Sequence, residues 1–421
     1  MGKTERLNLS SISLSKLTPN LIESQIKSFE LLIEGGVKEI FDEINPITDY
    51  TGESWELSFE DLEWGDINTG FSNAQKLGLS YDKPLYVNAK LVNKKTGEIK
   101  KQRLFVADIP IMSDIGTFVV NGNERVVVMQ IVRAEGVLFF QSKTTTATPR
   151  PLYAVKLMPL RGRWFDFEVN KHGVMSVKLL DKRPRILLTT LLRALGYSSN
   201  DEIRKALGNV DSGETKYLDA TLKRDATNNA EEAILDIYRK LRPEDSLNID
   251  HAKDFIENIF FNKRVFYLGR TGRYQLNKKL GIKEDIRQED YLLKKRDIVE
   301  IVKALIKLNN GELREDDIDS LANRRIRGVG ELIGEKIRVG VMRMEKNIKD
   351  RMSTYSAEEL VTPSVLVNTR PVIAAINQFF GSSQVSRYMD QQNPLSEIET
   401  KRRITAGGPR GLSKERATFS V

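Results

Sequence analysis

The sequence predicts an α+β, multidomain protein with a mixed sheet-and-helix first part, a helix-rich middle and an irregular, basic final segment. Three observations carry that reading. Alternating runs punctuated by turn residues fill 47–131, the signature of strands and hairpins. From 185 to 309 apolar residues recur at helical spacing instead. Beyond 379 the chain becomes polar, Gly-rich and basic, too densely so for a core segment. With 421 residues, 40% of them hydrophobic and 29% charged, the chain is long enough for two or three domains with real cores.

The first element is helical spacing over 21–41, through Leu21, Ile22, Ile26, Phe29, Leu32 and Ile33, which Gly35-Gly36 is expected to break. Residues 47–62 alternate around aromatic and acidic side chains and read as strand. Over 85–106 two strands flank a turn at 94–97. The clearest hairpin joins 117–120 to 125–131 through Asn121-Gly122-Asn123, where Asn-Gly supplies the positive φ of a tight turn. On an unbroken strand Arg125 and Arg133 share one parity, and Val128 and Gln130 the other. In the middle, 186–195, 231–241, 251–260 and 298–308 read as helices. Val329, Ile333, Ile337, Val341, Met344, Ile348 and Met352 then mark one face of a long helix, more a core stripe than a cofactor site. Residues 324–351 also hold nine cations and four acids, which leaves this flank basic even after i,i+4 pairing. A further helix runs over 371–380, with Pro371 tolerated in its first turn.

Composition removes several function classes. There is no cysteine, so disulfides, thiolate zinc sites and cysteine nucleophiles are excluded together. The two histidines, His172 and His251, sit in a turn and in a polar stretch before a helix, so neither has a catalytic setting. Glu315, Asp316, Asp317 and Asp319 lack EF-hand spacing and read as a solvated acidic turn. Gly328-x-Gly330 followed by Gly334 has neither the spacing nor the preceding strand of a nucleotide-binding loop. No catalytic residue and no metal site is expected. The N-terminus has no apolar signal region and no run reaches the roughly 18 apolar residues of a membrane span, so a cytoplasmic protein without membrane contact is expected. A net charge of +8 and a pI near 9.3 favour an acidic partner, nucleic acid above all. The final segment concentrates that charge. Over 401–416, Lys401, Arg402, Arg403, Arg410, Lys414 and Arg416 face a single acid, Glu415, and are threaded through Gly407, Gly408 and Gly411. Such glycines let backbone N–H groups approach a ligand, and arginines meet phosphates in forked pairs. Phe379, Phe380, Tyr388, Met389, Leu395 and Ile398 are expected to anchor this loop to a body.

Residues 107–140, ADIPIMSDIGTFVVNGNERVVVMQIVRAEGVLFF, resemble the corresponding segment of the β subunit of bacterial DNA-dependent RNA polymerase. The resemblance continues through LRGRWFDFE at 160–168, NRRIRGVGE at 323–331 and the final segment, in the family's order across nearly the whole chain. It implies a protrusion built from 1–133 and 324–386, an inserted helix-rich lobe at 134–323, and the start of the fork at 387–421 with the rifamycin-pocket region and fork loop 2. It also implies an assembled enzyme that extends RNA on DNA by nucleotidyl transfer. The partners are then β′, α, σ and the rest of β, together with template and non-template DNA and nascent RNA. Magnesium is held there by β′ aspartates, so this chain binds no cofactor itself and is expected to be inactive alone. Ending just after the expected fork loop 2, it resembles a fragment or a naturally split subunit. The rival expectation is a stand-alone nucleic-acid-binding or scaffold protein derived from a β subunit.

The resemblance also assigns residues. Nucleic acid is expected to meet Arg133, Trp164, Asp319, Arg324, Arg387, Arg402, Arg403, Lys414 and Arg416. Trp164 stacks on an unpaired base, an interaction of about 1–3 kcal/mol. Asp319 accepts a hydrogen bond from a base edge, and Arg324 holds a phosphate. The drug pocket takes Arg125, Val128, Gln130, Val385, Ser386, Arg387, Tyr388, Asp390, Thr400, Arg403, Thr405 and Gly407. This chain departs from the family at several places. Ala134-Glu135 stands where Ser-Pro is usual, placing an extra acid beside the nucleic-acid path. Arg387, Tyr388, Thr400, Thr405, Gly407 and Arg410 replace the usual Gln, Phe, His, Ser, Leu and Gly, which predicts rifamycin insensitivity.

Overall fold

The computed structural model describes residues 19–142, 151–180, 183–284, 286–355, 361–408 and 411–412. The fold is α+β, and the chain divides into two compact units, Met1–Val132 with Ile326–Val421, and Arg133–Arg325.

In the first unit, four antiparallel strands follow one another in space as in sequence: Ile47–Thr48, Trp55–Trp64, Asp82–Asn93 and Ile99–Pro110. The predicted turn after Asn93 is present. Asn93 Oδ1 accepts from the amides of Lys95 and Thr96, and Gly97 takes a positive φ of 75°. Helices Val329–Met352 and Arg370–Ser382 share the core with this sheet, burying Ile333, Ile337, Val341, Met344, Ile348, Ile376 and Phe380 with Leu57, Leu85, Leu91 and Ile109.

The glycine pair at 35–36 does not end the first helix. Helix Glu23–Leu31 passes through a π-turn, Leu32–Gly36, directly into helix Val37–Asp42, with the Val37 amide donating to Leu32 O. The extra residue in that turn rotates Val37 rather than Gly36 into the core and keeps Phe29, Leu32, Val37, Ile40 and Phe41 on one buried side. The glycines that resembled a phosphate loop have a packing role instead. The Cβ of a larger residue at Gly330 would collide with the Ser28 carbonyl, and one at Gly334 would stand 2.9 Å from Leu32 Cδ1. Only glycine lets the long helix approach the first one so closely.

The predicted hairpin is present at the expected turn. Asn121 (φ 51°) and Gly122 (φ 76°) join Phe118–Val120 to Asn123–Val127 with Val120 opposite Asn123. The strand after it is not continuous. The Val128 amide donates to Val385 O at 2.8 Å, and beyond it the chain resumes as Met129–Arg133 in a different sheet. The parity expected for Arg125, Val128, Gln130 and Arg133 is therefore lost. Val126, Val127, Val128, Met129 and Gln130 are all buried in succession.

The second unit contains what the spacing did not reveal, a five-stranded antiparallel meander of Gly136–Gln141, Tyr153–Met158, Phe165–Val169, Met175–Lys178 and Ile186–Leu187. The expected helices are present as Leu188–Ala194, Ala230–Leu241, Ile249–Phe261 and Lys295–Asn309, joined by Asn200–Leu207, Tyr217–Leu222 and Gly269–Leu280. Strand and helix faces merge in one core that includes Val155, Phe165, Phe167, Ile237, Phe260 and Leu305. The unit's two ends meet: the Ala134 amide donates to Asn323 O at 2.9 Å, and Glu135 pairs with Arg325.

Candidate nucleic-acid interface

In the first unit, the broken strand at 123–133 receives the final segment at two places. Ser386–Tyr388 lies antiparallel to Asn123–Val127, with Ser386 opposite Val127, Arg387 opposite Val126 and Tyr388 opposite Arg125. Alternation sends Arg387 to the other side from its neighbours, where it is exposed. Ser386 is buried and its hydroxyl donates to Phe380 O at 2.8 Å. Tyr388, facing Arg125 directly, lies with its ring 4.2 Å from the Arg125 guanidinium carbon, a cation–π pair.

Further on, Ile404–Thr405 runs parallel to Met129–Arg133, with Thr405 opposite Gln130. Gln130 is fully buried, and its Nε2 donates to Gly407 O at 3.0 Å. Its Oε1 accepts from Arg327 Nη1 at 3.3 Å, while Glu331 (3.1 Å) and Glu335 hold the same guanidinium. One amide thus fixes the loop at 407 to the start of the long helix. A Cβ at Gly411 would stand 2.9 Å from that Nε2, so the loop closes here only with glycine.

Between the two pairings, helix Pro394–Arg402 is capped by Asn393 Oδ1, which accepts from the Ser396 amide at 2.8 Å. Its end is tied down by Gln25, whose Nε2 donates to Lys401 O at 2.9 Å. Lys401 is buried 3.9 Å from Glu397, and Arg403 pairs with Glu399 at 3.0 Å. Arg387 and Arg402 are exposed, and among the described residues neither has an ion-pair partner. The anchors differ from expectation. Phe379 and Phe380 are buried, but Tyr388 is 63% and Leu395 76% exposed, and polar Gln25, Gln130, Ser386, Thr400 and Lys401 are buried in their stead. Backbone groups of an irregular segment need partners that apolar side chains cannot supply. A polar cleft of about 390 Å³ opens beside the loop, lined by Lys336, Gln378, Phe379, Ser382, Ser383, Gln384 and Gly408.

The expected drug-pocket set is therefore gathered only in part. Arg125, Val128, Gln130, Val385, Ser386, Arg387, Tyr388, Thr405 and Gly407 are joined by the two strand pairings and the bonds just described. Asp390 is exposed beyond the strand end, accepting from the Gln392 amide at 3.2 Å. Thr400 turns back on its own helix, donating to Ser396 O at 2.8 Å, and Arg403 is engaged on the same helix. Lys414 and Arg416 lie outside the described residues, as does Arg410.

In the second unit Trp164 is 46% exposed, with the Lys156 ammonium 5.4 Å from its ring and Asp166 holding that lysine at 3.2 Å. Arg133 is half-buried at the end of its strand. Asp319 and Arg324, expected to meet a base edge and a phosphate, are brought together and pair with each other at 3.0 Å. The acidic turn is not simply solvated either. Asp316 accepts from the Phe139 amide at 2.8 Å and from Lys279 Nζ at 2.7 Å. Glu135 is buried against Arg325, which removes its charge from the surface. Among the described residues no group of three His, Asp or Glu side chains stands where it could hold a metal, and no helix is long and apolar enough to cross a membrane.

Sequence reasoning missed Gln25 and Arg327. Gln25 sits inside the first helix's apolar stripe, and a glutamine on a core face is the one signal that could have marked it. Arg327 was one of nine cations on a basic flank, and nothing local distinguishes the buried one.

Comparison with known proteins agrees with the resemblance. Residues 133–327 match the family model RNA polymerase Rpb2, domain 2. The DNA-directed RNA polymerase subunit beta of Chloroflexus aggregans is 42% identical over an alignment of 448 positions, covering 100% of this chain and 36% of the relative. Those of Dehalococcoides mccartyi (44% identical, 96% of this chain, 32% of the relative) and Syntrophomonas wolfei (41%, 100%, 37%) are similarly close. The chain spans about a third of the length of these relatives. Similarity at this level extends over both units and the final segment: the chain matches an N-terminal part of the bacterial RNA polymerase β subunit.

Proposed function

We propose that this chain works as part of a β subunit in the multisubunit RNA polymerase, where it guides the RNA–DNA hybrid and the separated strands of downstream DNA. In that setting 1–133 with 324–386 form the protrusion, 134–323 the lobe and 387–421 the start of the fork. The observation that carries the reading is the wall in the first unit. Segments more than 250 residues apart, 123–133 and 386–407, are joined by two strand pairings and the buried Gln130 amide, leaving Arg387 and Arg402 exposed for phosphate. Nucleotidyl transfer would be supplied elsewhere in the assembled enzyme, where magnesium held by β′ would act as the Lewis acid. The chain itself contributes charge and stacking. Its partners are then β′, α, σ, the remaining β polypeptide, both DNA strands and nascent RNA, in the cytoplasm.

Co-purification tests this reading. Tagged chain from its native source should bring down β′, α and the rest of β, and a preparation free of all three refutes it. We further propose that the altered wall makes the assembled enzyme insensitive to rifamycin. Arg387 adds bulk and charge beside the Arg125–Tyr388 pair, and Thr405 replaces serine opposite Gln130. Strong inhibition of the reconstituted polymerase at low drug concentration would overturn that proposal.

A further inference from the structure

The polar cleft of the first unit shares no residue with the drug-pocket set or with the cations assigned to nucleic acid. It lies where two packed helices part. Val329–Met352 and Arg370–Ser382 approach closely at Gly340, where a Cβ would stand 2.7 Å from Val372 Cα. One turn back along the first helix stands Lys336, further along the second stand Gln378 and Ser382, and these line a space of about 390 Å³. Buried Phe379 lines it from the core side, and Ser383, Gln384 and the Gly408 backbone complete it. Gly408 takes a φ of 101°, and a Cβ there would stand 3.2 Å from Gln130 Nε2.

The groups gathered here suit an anion with a hydroxylated body. Lys336 is half-buried and has no ion-pair partner among the described residues, and no acid lines the cleft. Its ammonium carries three donors and no acceptor. Ser383 Oγ accepts from the Val385 amide at 3.4 Å, which leaves its own hydrogen to donate. Ser382 gives its hydrogen to Gln378 O at 2.9 Å and retains only acceptor capacity. The carboxamides of Gln378 and Gln384 have no partner among the described residues, and each offers donors together with an acceptor. Carbonyls at the end of the second helix would repel an anion, but they are already met. The Ser383 amide donates to Phe379 O at 3.2 Å and the Ser386 hydroxyl to Phe380 O at 2.8 Å.

We propose that this cleft binds a sugar phosphate, with the phosphate on Lys336 and Ser383 and the sugar hydroxyls on the two carboxamides and Ser382 Oγ. Lysine holds phosphate as a point charge, and hydroxyls that donate and accept at once match carboxamides that do the same. The space lies at the lower end of the range of small-molecule sites, about 300–1,000 Å³, and a bare inorganic ion would leave both carboxamides unused. Nothing in this inference depends on the polymerase reading.

Isothermal titration calorimetry of the whole chain tests it, with ribose 5-phosphate, ribose and inorganic phosphate as titrants. Ribose 5-phosphate should bind more tightly than either of the others. Lys336→Ala should weaken it by about tenfold or more, Ser383→Ala by a smaller factor, and Lys336→Arg should stay within about threefold of the parent. Arg343→Ala removes an exposed cation two turns along the same helix and should leave binding unchanged. Urea unfolding of each variant separates loss of the site from loss of the fold. If Lys336→Ala proves destabilised, weaker binding by a stable Ser383→Ala or Gln384→Ala variant carries the proposal in its place. No binding of ribose 5-phosphate overturns it, as does binding that stable Lys336→Ala and Ser383→Ala variants retain in full. Equal affinity for ribose or for inorganic phosphate overturns it too, and so does a loss on Arg343→Ala as large as that on Lys336→Ala.

Discussion

The interior of the second unit and the wall of the first treat arginine in opposite ways. Inside the second unit, Arg193 is enclosed by Asp225 (3.4 Å), Ser198 O (2.8 Å), Asn228 O (3.3 Å) and Asn200. Arg273 is likewise enclosed by Asp297 (2.9 Å) and the carbonyls of Asp290 and Leu292. On the wall, Arg387 and Arg402 are exposed and have no acid partner among the described residues. A buried guanidinium must have its charge and its N–H groups met inside the protein, so its removal leaves orphans. An exposed one is met by water, and can exchange water for phosphate. The same residue type therefore builds structure in one region and remains available for recognition in the other.

The largest effect should come from breaking an interior arginine. Arg273→Ala leaves Asp297 buried and uncompensated and two carbonyls without their donor, and should cost about 3–5 kcal/mol. Urea unfolding followed through amide exchange in helix Lys295–Asn309 measures it. A loss under about 1 kcal/mol would show that the interior arginines are no more structural than the exposed ones.

The second test uses acid. Burial pushes the Asp225 carboxyl upward, but hydrogen bonds from the Thr227 hydroxyl (2.6 Å), the Thr227 amide (3.0 Å) and Thr190 (3.1 Å) outweigh it, so the group titrates below its ordinary value. A lowered folded-state value means that this stabilisation is complete above the unfolded value, near 4, and is lost as pH falls through the folded one. The urea midpoint for exchange in helix Leu188–Ala194 should decline below about pH 4. Asp225→Asn should start lower and lose much of that acid slope. A parent-like slope in the variant would place the acid sensitivity elsewhere.

How much of this contrast was legible beforehand follows from what spacing can encode. The long helix, the helix at Arg370–Ser382 and the Asn121-Gly122 turn each declare themselves within a few residues, through an apolar stripe, an early proline and a positive-φ pair. The five-stranded sheet of the second unit did not, because Val137, Leu138 and Phe139 are buried in succession and break the alternation by which a half-exposed strand is read. Burial of individual cations was invisible for a different reason. Arg327 and Arg402 look alike in sequence, and only the fold puts Gln130, Glu331 and Glu335 around the first. The wall's outline was accessible through resemblance. Its fastening by Gln25 and Gln130 was not, since both bonds join residues more than 270 positions apart.

The smallest stability effect should come from the wall, and there the comparison is sharpest. Arg387→Ala with Arg402→Ala removes two side chains that have no ion-pair partner among the described residues, so the unfolding free energy from urea titration should stay within about 0.5 kcal/mol of the parent. If these cations meet phosphates, the same variant should bind nucleic acid more weakly across all sequences. Its slope of log K against log salt should fall by about 1.8 on duplex DNA, roughly 0.9 for each phosphate no longer neutralised. Stability and binding then move independently, the reverse of Arg273→Ala, which should lose stability while both exposed arginines of the wall remain. A double variant that is clearly destabilised would mean that the two arginines serve the fold after all. One with unchanged stability and unchanged salt slope would mean that neither position meets a phosphate and would confine recognition to other residues of the chain.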